Sequence, residues 1–173
     1  RFVSEVDPQH VDFHINDTVR DVAQLIDFDV AAHHVRLEFD FDEGLPAVHG
    51  EQISLEQVLV NLMRNGFHAM KNVPTADRLM TVSTARDGNF IQVAVRDSGV
   101  GFQGKSLDEL IQPFVTNKID GVGLGLAICR NTIQLAGGRF WAQENDQPPG
   151  VTFLFTYPVS PRVDSSLGEA TST

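Results

Sequence analysis

At 173 residues, with 42% hydrophobic and 21% charged side chains, the chain is long enough to bury a self-sufficient core and ordinary for one globular domain. A net charge of −10 argues against nucleic acid as the main partner, because phosphate backbones need clustered Lys and Arg, while leaving room for a small anionic ligand at a local site. The single cysteine, Cys129, excludes an intrachain disulfide and a cysteine metal cluster, and no apolar run approaches the ~18 residues that cross a membrane.

Residues 1–11 read as the end of an upstream element or a connector, with a break at Asp7-Pro8. Asn16 or Asp17 then caps a helix whose apolar positions Val19, Val22, Leu25, Ile26 and Val30 keep a helical period to Ala32. Residues 35–41 alternate strictly, as a half-buried strand does. Glu43-Gly-Leu-Pro46 turns that strand, and a short segment around Val48 leads to Gly50. A second helix is expected over residues 51–72, stopped by Pro74. Val58, Leu59, Leu62, Met63, Ala69 and Met70 form its apolar stripe, yet Asn61 and Asn65 sit one turn apart on one face. Asn is roughly half a kcal/mol worse than Ala in a helix. The pair is either a solvated edge or two neutral amide oxygens turned to a bound metal or phosphate.

Residues 79–85 and 90–96 form a hairpin around Arg86-Asp-Gly-Asn89. Residues 97–123 are Gly-rich and irregular apart from a short helix near 106–111, and so long a loop in a compact domain usually serves as a lid. It begins with Asp97-Ser-Gly99-Val-Gly101-Phe102, which is either a plain turn or a carboxylate set among glycines that let a ligand approach. Such a carboxylate can accept from an exocyclic amine such as adenine's, a bond worth roughly 1.5–3 kcal/mol. In Pro113-Phe-Val-Thr-Asn-Lys118, Thr116 and Lys118 are able to reach phosphate and Phe114 to latch the loop; a solvated lysine and a satellite core contact are the plainer alternatives. Gly121-Val-Gly123-Leu124-Gly125 opens an apolar helix over 124–135. That spacing suits phosphate at a helix N-terminus, and equally a hinge or close packing. It is neither the dinucleotide fingerprint nor a P-loop. Strands over 139–143 and 151–157 follow, and 159–173 reads as a disordered tail. Hairpins dominate, with helices on one face, so the fold class is α+β, a two-layer sandwich.

Taken together and in this order, the asparagine helix, Asp97-Ser-Gly-Val-Gly101, Pro113-Phe114 and Gly121-Val-Gly-Leu-Gly125 resemble the N, first glycine, F and second glycine boxes of the catalytic ATP-binding domain of sensor histidine kinases. That superfamily also holds gyrase, the mismatch-repair ATPase and the heat-shock chaperone ATPases. The resemblance covers residues 12–158 and implies a mixed, mostly antiparallel sheet backed by three helices, with ATP under a mobile lid. It implies that Asn65 binds Mg²⁺ and bridges it to the ATP phosphates, supported by Asn61, and that Asp97 takes the adenine amine in a pocket shaped by Gly99 and Gly101. Phe114, Thr116, Lys118, Gly121, Gly123, Leu124 and Gly125 would belong to the lid and its phosphate-facing backbone, and Thr152 would help to hold adenine through water. Asn61, Asn65 and Lys118 would form the catalytic set. Two departures stand out: His68 and Ala69 occupy the turn where many members carry Lys or an aromatic residue, and Asn65 is followed by Gly66 rather than Ala.

The same pocket suits a histidine kinase, an ATP-hydrolysing conformational switch or a silent nucleotide-binding module. Hydrolytic relatives, and those that phosphorylate serine, usually carry Glu at position 61, since water and serine must lose a proton. Asn61 cannot accept one, and a neutral imidazole attacks without a strong base. Histidines 10, 14, 33, 34, 49 and 68 all lack the acceptor context of a His followed by an acid and a base in a long amphipathic helix. The acceptor is therefore expected on a dimerising helical hairpin upstream of Arg1 in the same polypeptide, with a response-regulator receiver domain as the downstream partner. No membrane contact is expected of this domain, and its expected place is the cytoplasm whether or not the full-length protein is anchored.

Overall fold

The computed structural model describes residues 9–111 and 122–161, with the side chains of 122–124 left aside. The expected lid residues Phe114, Thr116, Lys118 and Gly121, and the tail from 162 onward, lie outside the described residues. The elements run β1 (His10–Phe13), α1 (Ile15–Leu25), α2 (Asp27–Ala32), β2 (Arg36–Asp40), β3 (Val48–Glu51) and α3 (Gln52–Ala69). They continue with β4 (Leu79–Asp87), β5 (Phe90–Asp97), α4 (Leu107–Ile111), α5 (Val122–Leu135), β6 (Phe140–Glu144) and β7 (Val151–Pro158).

Five strands form one sheet in the order β2-β4-β5-β7-β6, with β2 parallel to β4 and the other pairs antiparallel. This is the expected mixed, mostly antiparallel α+β sheet. Alternation along the strands places Met80, Val82, Ile91, Val93, Val95, Phe153, Phe155 and Tyr157 in one buried core with Val19 and Val22 of α1, Leu55, Leu59, Leu62, Met63 and Phe67 of α3, and Cys129 and Ile133 of α5. The same register carries Asp97, opposite Met80, onto the helix side at the end of β5.

Five local expectations are corrected. Residues 10–13 form β1, paired with β3, so ordered structure begins before residue 12. The helix cap is His14, not Asn16 or Asp17; Asn16 lies inside the first turn, its Nδ2 donating to the Asp42 carbonyl at 2.8 Å and its Oδ1 accepting from Thr84 Oγ1 at 2.8 Å. The helix expected to run to Ala32 breaks at Ile26, whose turn geometry sends its own side chain into the core. Helix α3 stops at Ala69 rather than at Asn72, because the Val100 N–H bonds the Ala69 carbonyl and Val73 bonds Met70 instead. Beyond Pro158 the chain stays packed for two more residues: Val159 and Ser160 are buried, and Ser160 Oγ donates to Asp12 at 3.0 Å.

Thr84 is buried at the centre of the Asn16 network, and its Oγ1 also accepts from the Asp42 N–H. Replacing Thr84 by Val keeps the shape and orphans the Asn16 carbonyl oxygen. Urea unfolding should show a loss of about 1–3 kcal/mol with an unchanged m-value.

Candidate functional site

The site is built where α3 crosses the end of β5. Gly66 lies against that strand end: a Cβ there would come 2.2 Å from Met80 Cε and 3.4 Å from Asp97 Cβ. The helix therefore seats more closely on the sheet than Ala in this position allows without moving Met80. This accounts for the Gly after Asn65 that helix propensity alone disfavours. Gly99 is held as tightly on the other side, where a Cβ would stand 2.7 Å from the Ala69 carbonyl oxygen.

Between them Asp97 is 3% exposed. Its Oδ1 accepts from the N–H of Gly99 at 2.9 Å and of Val151 at 3.4 Å. Burial pushes the carboxyl up from the ordinary 3.8 to about 6, and the two backbone donors pull it part of the way back. With both backbone bonds on Oδ1, the second oxygen is the one left to meet a ligand's donor; it lies 3.6 Å from the Cβ point of Gly66.

The backbone of Asp97 is fixed by a residue that sequence reasoning passed over as part of a turn. Asn145 Nδ2 donates to the Asp97 carbonyl at 2.8 Å and to the Pro149 carbonyl at 3.1 Å, and its Oδ1 accepts from Thr152 Oγ1 at 2.7 Å. Gly150, at φ 115°, passes so close that a Cβ would overlap the Asp97 carbonyl. Thr152, expected at the base pocket, thus reaches the Asp97 carbonyl through Asn145 from β7, the strand beside β5. The only sequence signal for Asn145 was its place just before the Pro148-Pro149-Gly150 turn.

Asn61 and Asn65 both lie half-buried on α3, one turn apart. Asn61 faces the first turns of α5, where its Cγ lies 3.7 Å from the Cβ point of Gly125. Gly123 and Gly125 are already helical, since α5 begins at Val122 rather than Leu124. Gly101, at φ 77°, starts the segment that leads toward α4, and Arg130 of α5 pairs with Asp108 of α4 at 2.9 Å. His68 is half-buried at the end of α3, edge-on to His33 at 6.0 Å. The structure thus sets α3 at Gly66, the residue after Asn65, against the strand end that carries Asp97, places Asn61 beside Gly125 of α5, and links Thr152 to the Asp97 carbonyl through Asn145.

Residues 50–161 match the family model described as histidine kinase-, DNA gyrase B-, and HSP90-like ATPase. The sensor protein TdiS of Thauera aromatica is 32% identical over 160 residues, covering 91% of this chain and 29% of TdiS. FixL of Bradyrhizobium diazoefficiens is 40% identical over 127 residues, covering 73% of this chain and 25% of FixL. Among solved structures, the nucleotide-free catalytic domain of the histidine kinase ThkA superposes with a TM-score of 0.76 at 27% identity, over 88% of this chain and 97% of that one. A two-layer sandwich with a buried carboxylate under an asparagine helix is an ATPase-type nucleotide fold. The chain belongs to the histidine kinase-, DNA gyrase B- and HSP90-like ATPase family, and its curated relatives include sensor histidine kinases. It spans less than a third of the length of those two relatives.

The buried carboxylate sets a pH dependence. A folded-state pKa of about 6 against 3.8 means that the folded state holds the proton more tightly, so the ionised form costs stability. The cost is absent below 3.8, grows as pH rises, and is complete above about 6, at about 3 kcal/mol. Asp97→Asn keeps the acceptor for Gly99 and Val151 and removes the charge. Its nucleotide-free melting temperature should exceed that of the wild type at pH 7.5, and the gain should vanish near pH 4 in thermal melts.

Proposed function

We propose that this chain binds Mg-ATP and supplies the γ-phosphoryl group to a histidine on a separate helical-hairpin domain. The observation that carries this reading is the buried Asp97 carboxylate, held on one oxygen by Gly99 and Val151. A carboxylate kept out of water and braced on one side is an acceptor for a single neutral donor, and the adenine amine fits that need. The residues present also suit the metal. Asn61 and Asn65 offer neutral amide oxygens, and Mg²⁺ takes a few oxygen ligands while keeping several waters. Magnesium supplies charge neutralisation to the phosphates when bound.

Each residue then has a task. Asp97 selects the base, and Asn145 and Gly150 keep its backbone from shifting. Gly99 lets the base approach. Thr152 supports the base through water. Asn65 holds the metal, Asn61 orients it or its waters, and the first turn of α5 offers backbone N–H groups to phosphate. By the family pattern Lys118, Thr116, Phe114, Gly121 and Leu124 complete the phosphate side. Position 61 argues against hydrolysis, because an amide takes no proton from water. A histidine acceptor, a receiver domain that removes the phosphoryl group and a cytoplasmic setting follow from kinship with sensor kinases. Among the described residues no helix is long and apolar enough to cross a membrane.

Calorimetry with ATP and magnesium tests the base assignment. Asp97→Asn should weaken ATP about 10- to 150-fold, the equivalent of one charge-assisted bond, and an unchanged affinity sinks it. Joining the upstream hairpin and finding acid-labile phosphate on it separates the kinase from a silent binder. A brisk ATPase rate from this chain alone favours the hydrolytic switch instead.

A further inference from the structure

Helices α1 and α2 lie alongside α3 and run in the same direction. Near the starts of the helices Gln52 Nε2 donates to Thr18 Oγ1 at 3.3 Å. About three turns further along both, Arg64 pairs with Asp29 at 2.9 Å. These two contacts identify the flanks that face each other. Leu25 stands about two turns after Thr18, on the flank of α1 turned to α3, and Phe28 follows one turn later, displaced toward solvent. Main-chain bonds from Ile26 to Val22 and from Val30 to Ile26 keep helical spacing across the break. On α3, Ile53, Val60 and Arg64 share one flank, and the Arg64–Asp29 pair turns it to α1 and α2. Leu25, Phe28 and Ile53 are 74%, 84% and 65% exposed, and Val60 is half-buried. Single exposed apolar side chains are ordinary, but a set that lines both walls of one interhelical groove marks an interaction surface.

The groove also carries charge. Asp21 lies one turn before Leu25 and Glu56 one turn after Ile53, so each wall holds an acid. Neither acid has an ion-pair or hydrogen-bond partner among the described residues, and the neighbouring cation, Arg64, is taken by Asp29. Acids on both walls repel nucleic acid and an anionic membrane surface. A second copy of a chain with net charge −10 would set like charge against like. A groove between two side-by-side helices receives the apolar stripe of a third by ridge-into-groove packing. We propose that the groove between α1–α2 and α3 docks an amphipathic helix of a partner protein, with its apolar stripe on Leu25, Phe28, Ile53 and Val60 and its Lys or Arg flanks on Asp21 and Glu56. Asn61 faces α5 on the other side of α3, so the docked helix leaves it uncovered. The inference uses no part of the nucleotide reading.

The probe is a labelled synthetic helix with a leucine stripe and lysine flanks, titrated with the whole chain by fluorescence anisotropy. It should bind, and added salt should weaken it. A helix with the same stripe and glutamate flanks should bind at least about tenfold more weakly. Leu25→Ser joined to Phe28→Ser tests one wall, and Ile53→Ser tests the other. Each should weaken the lysine helix at least about tenfold, as truncation of an interface anchor does. Asp21→Asn with Glu56→Gln should flatten the salt dependence. All of these variants alter solvent-facing positions, so thermal melts should stay near the wild type. No binding of the lysine helix overturns the inference. So does equal binding of the lysine and glutamate helices, or an unchanged affinity in the variants of either wall. Sedimentation of the chain alone tests the other occupant: a dimer that Leu25→Ser with Phe28→Ser dissolves makes this face a self-interface and overturns the assignment to a partner protein.

Discussion

The fold depends on how closely helix α3 seats on the end of strand β5. At Gly66 the helix backbone and the Asp97 side chain share a space that a methyl group enters only by displacing Met80. This proximity removes Asp97 from water, and with it the freedom of the carboxyl to ionise cheaply. It also sets the height of Asn65, the preceding residue on the helix, above the same strand end. One contact thus fixes the base-facing group and the metal-facing group of the proposed pocket relative to each other. A Gly and a long, adaptable methionine fill the volume between helix and strand here.

Around that contact the chain spends its polar side chains on holding loops rather than on the surface. Arg78 gathers three carbonyls, of His33, Val73 and Lys71, with distances of 2.6, 2.8 and 2.9 Å, and so ties the end of α2 to the turns after α3. Ser98 Oγ donates to Asp77 and accepts from Leu79 N–H, which anchors the residue after Asp97 to the start of β4. Asn145 does the same for Asp97 from the side of β7. Each is a one-to-many hub: one planar or short side chain bonds several main-chain groups of neighbouring turns at once.

The regular elements were legible in the sequence because they rest on periodicity. The alternation of 79–85 and 90–96, and the helical stripe of Val58, Leu59, Leu62 and Met63, each encode a buried face directly. Asp97 and the asparagine pair were visible as chemistry that propensity disfavours. What stayed hidden was settled by distant partners. Strand β1 carries only two apolar residues and exists because β3 pairs with it. The end of α3 is set by Val100, not by Pro74. Asn145 looks like any turn residue until Asp97 is brought beside it from 48 positions away. Gly66 read as a weakness of the helix, and only the third dimension shows it as a fit.

The join between β3 and α3 has a mechanical meaning. Strand β3 ends at Glu51 and α3 begins at Gln52, with no loop between them. Strand β1 is zipped to β3 along all four of its residues, and Ser160 and the Val48–Val159 bridge close the same corner from the far end of the chain. A pull or twist applied at His10 therefore finds no slack before it reaches the helix that carries Asn61 and Asn65. The small two-stranded sheet works as a crank handle, and the asparagine helix is its shaft.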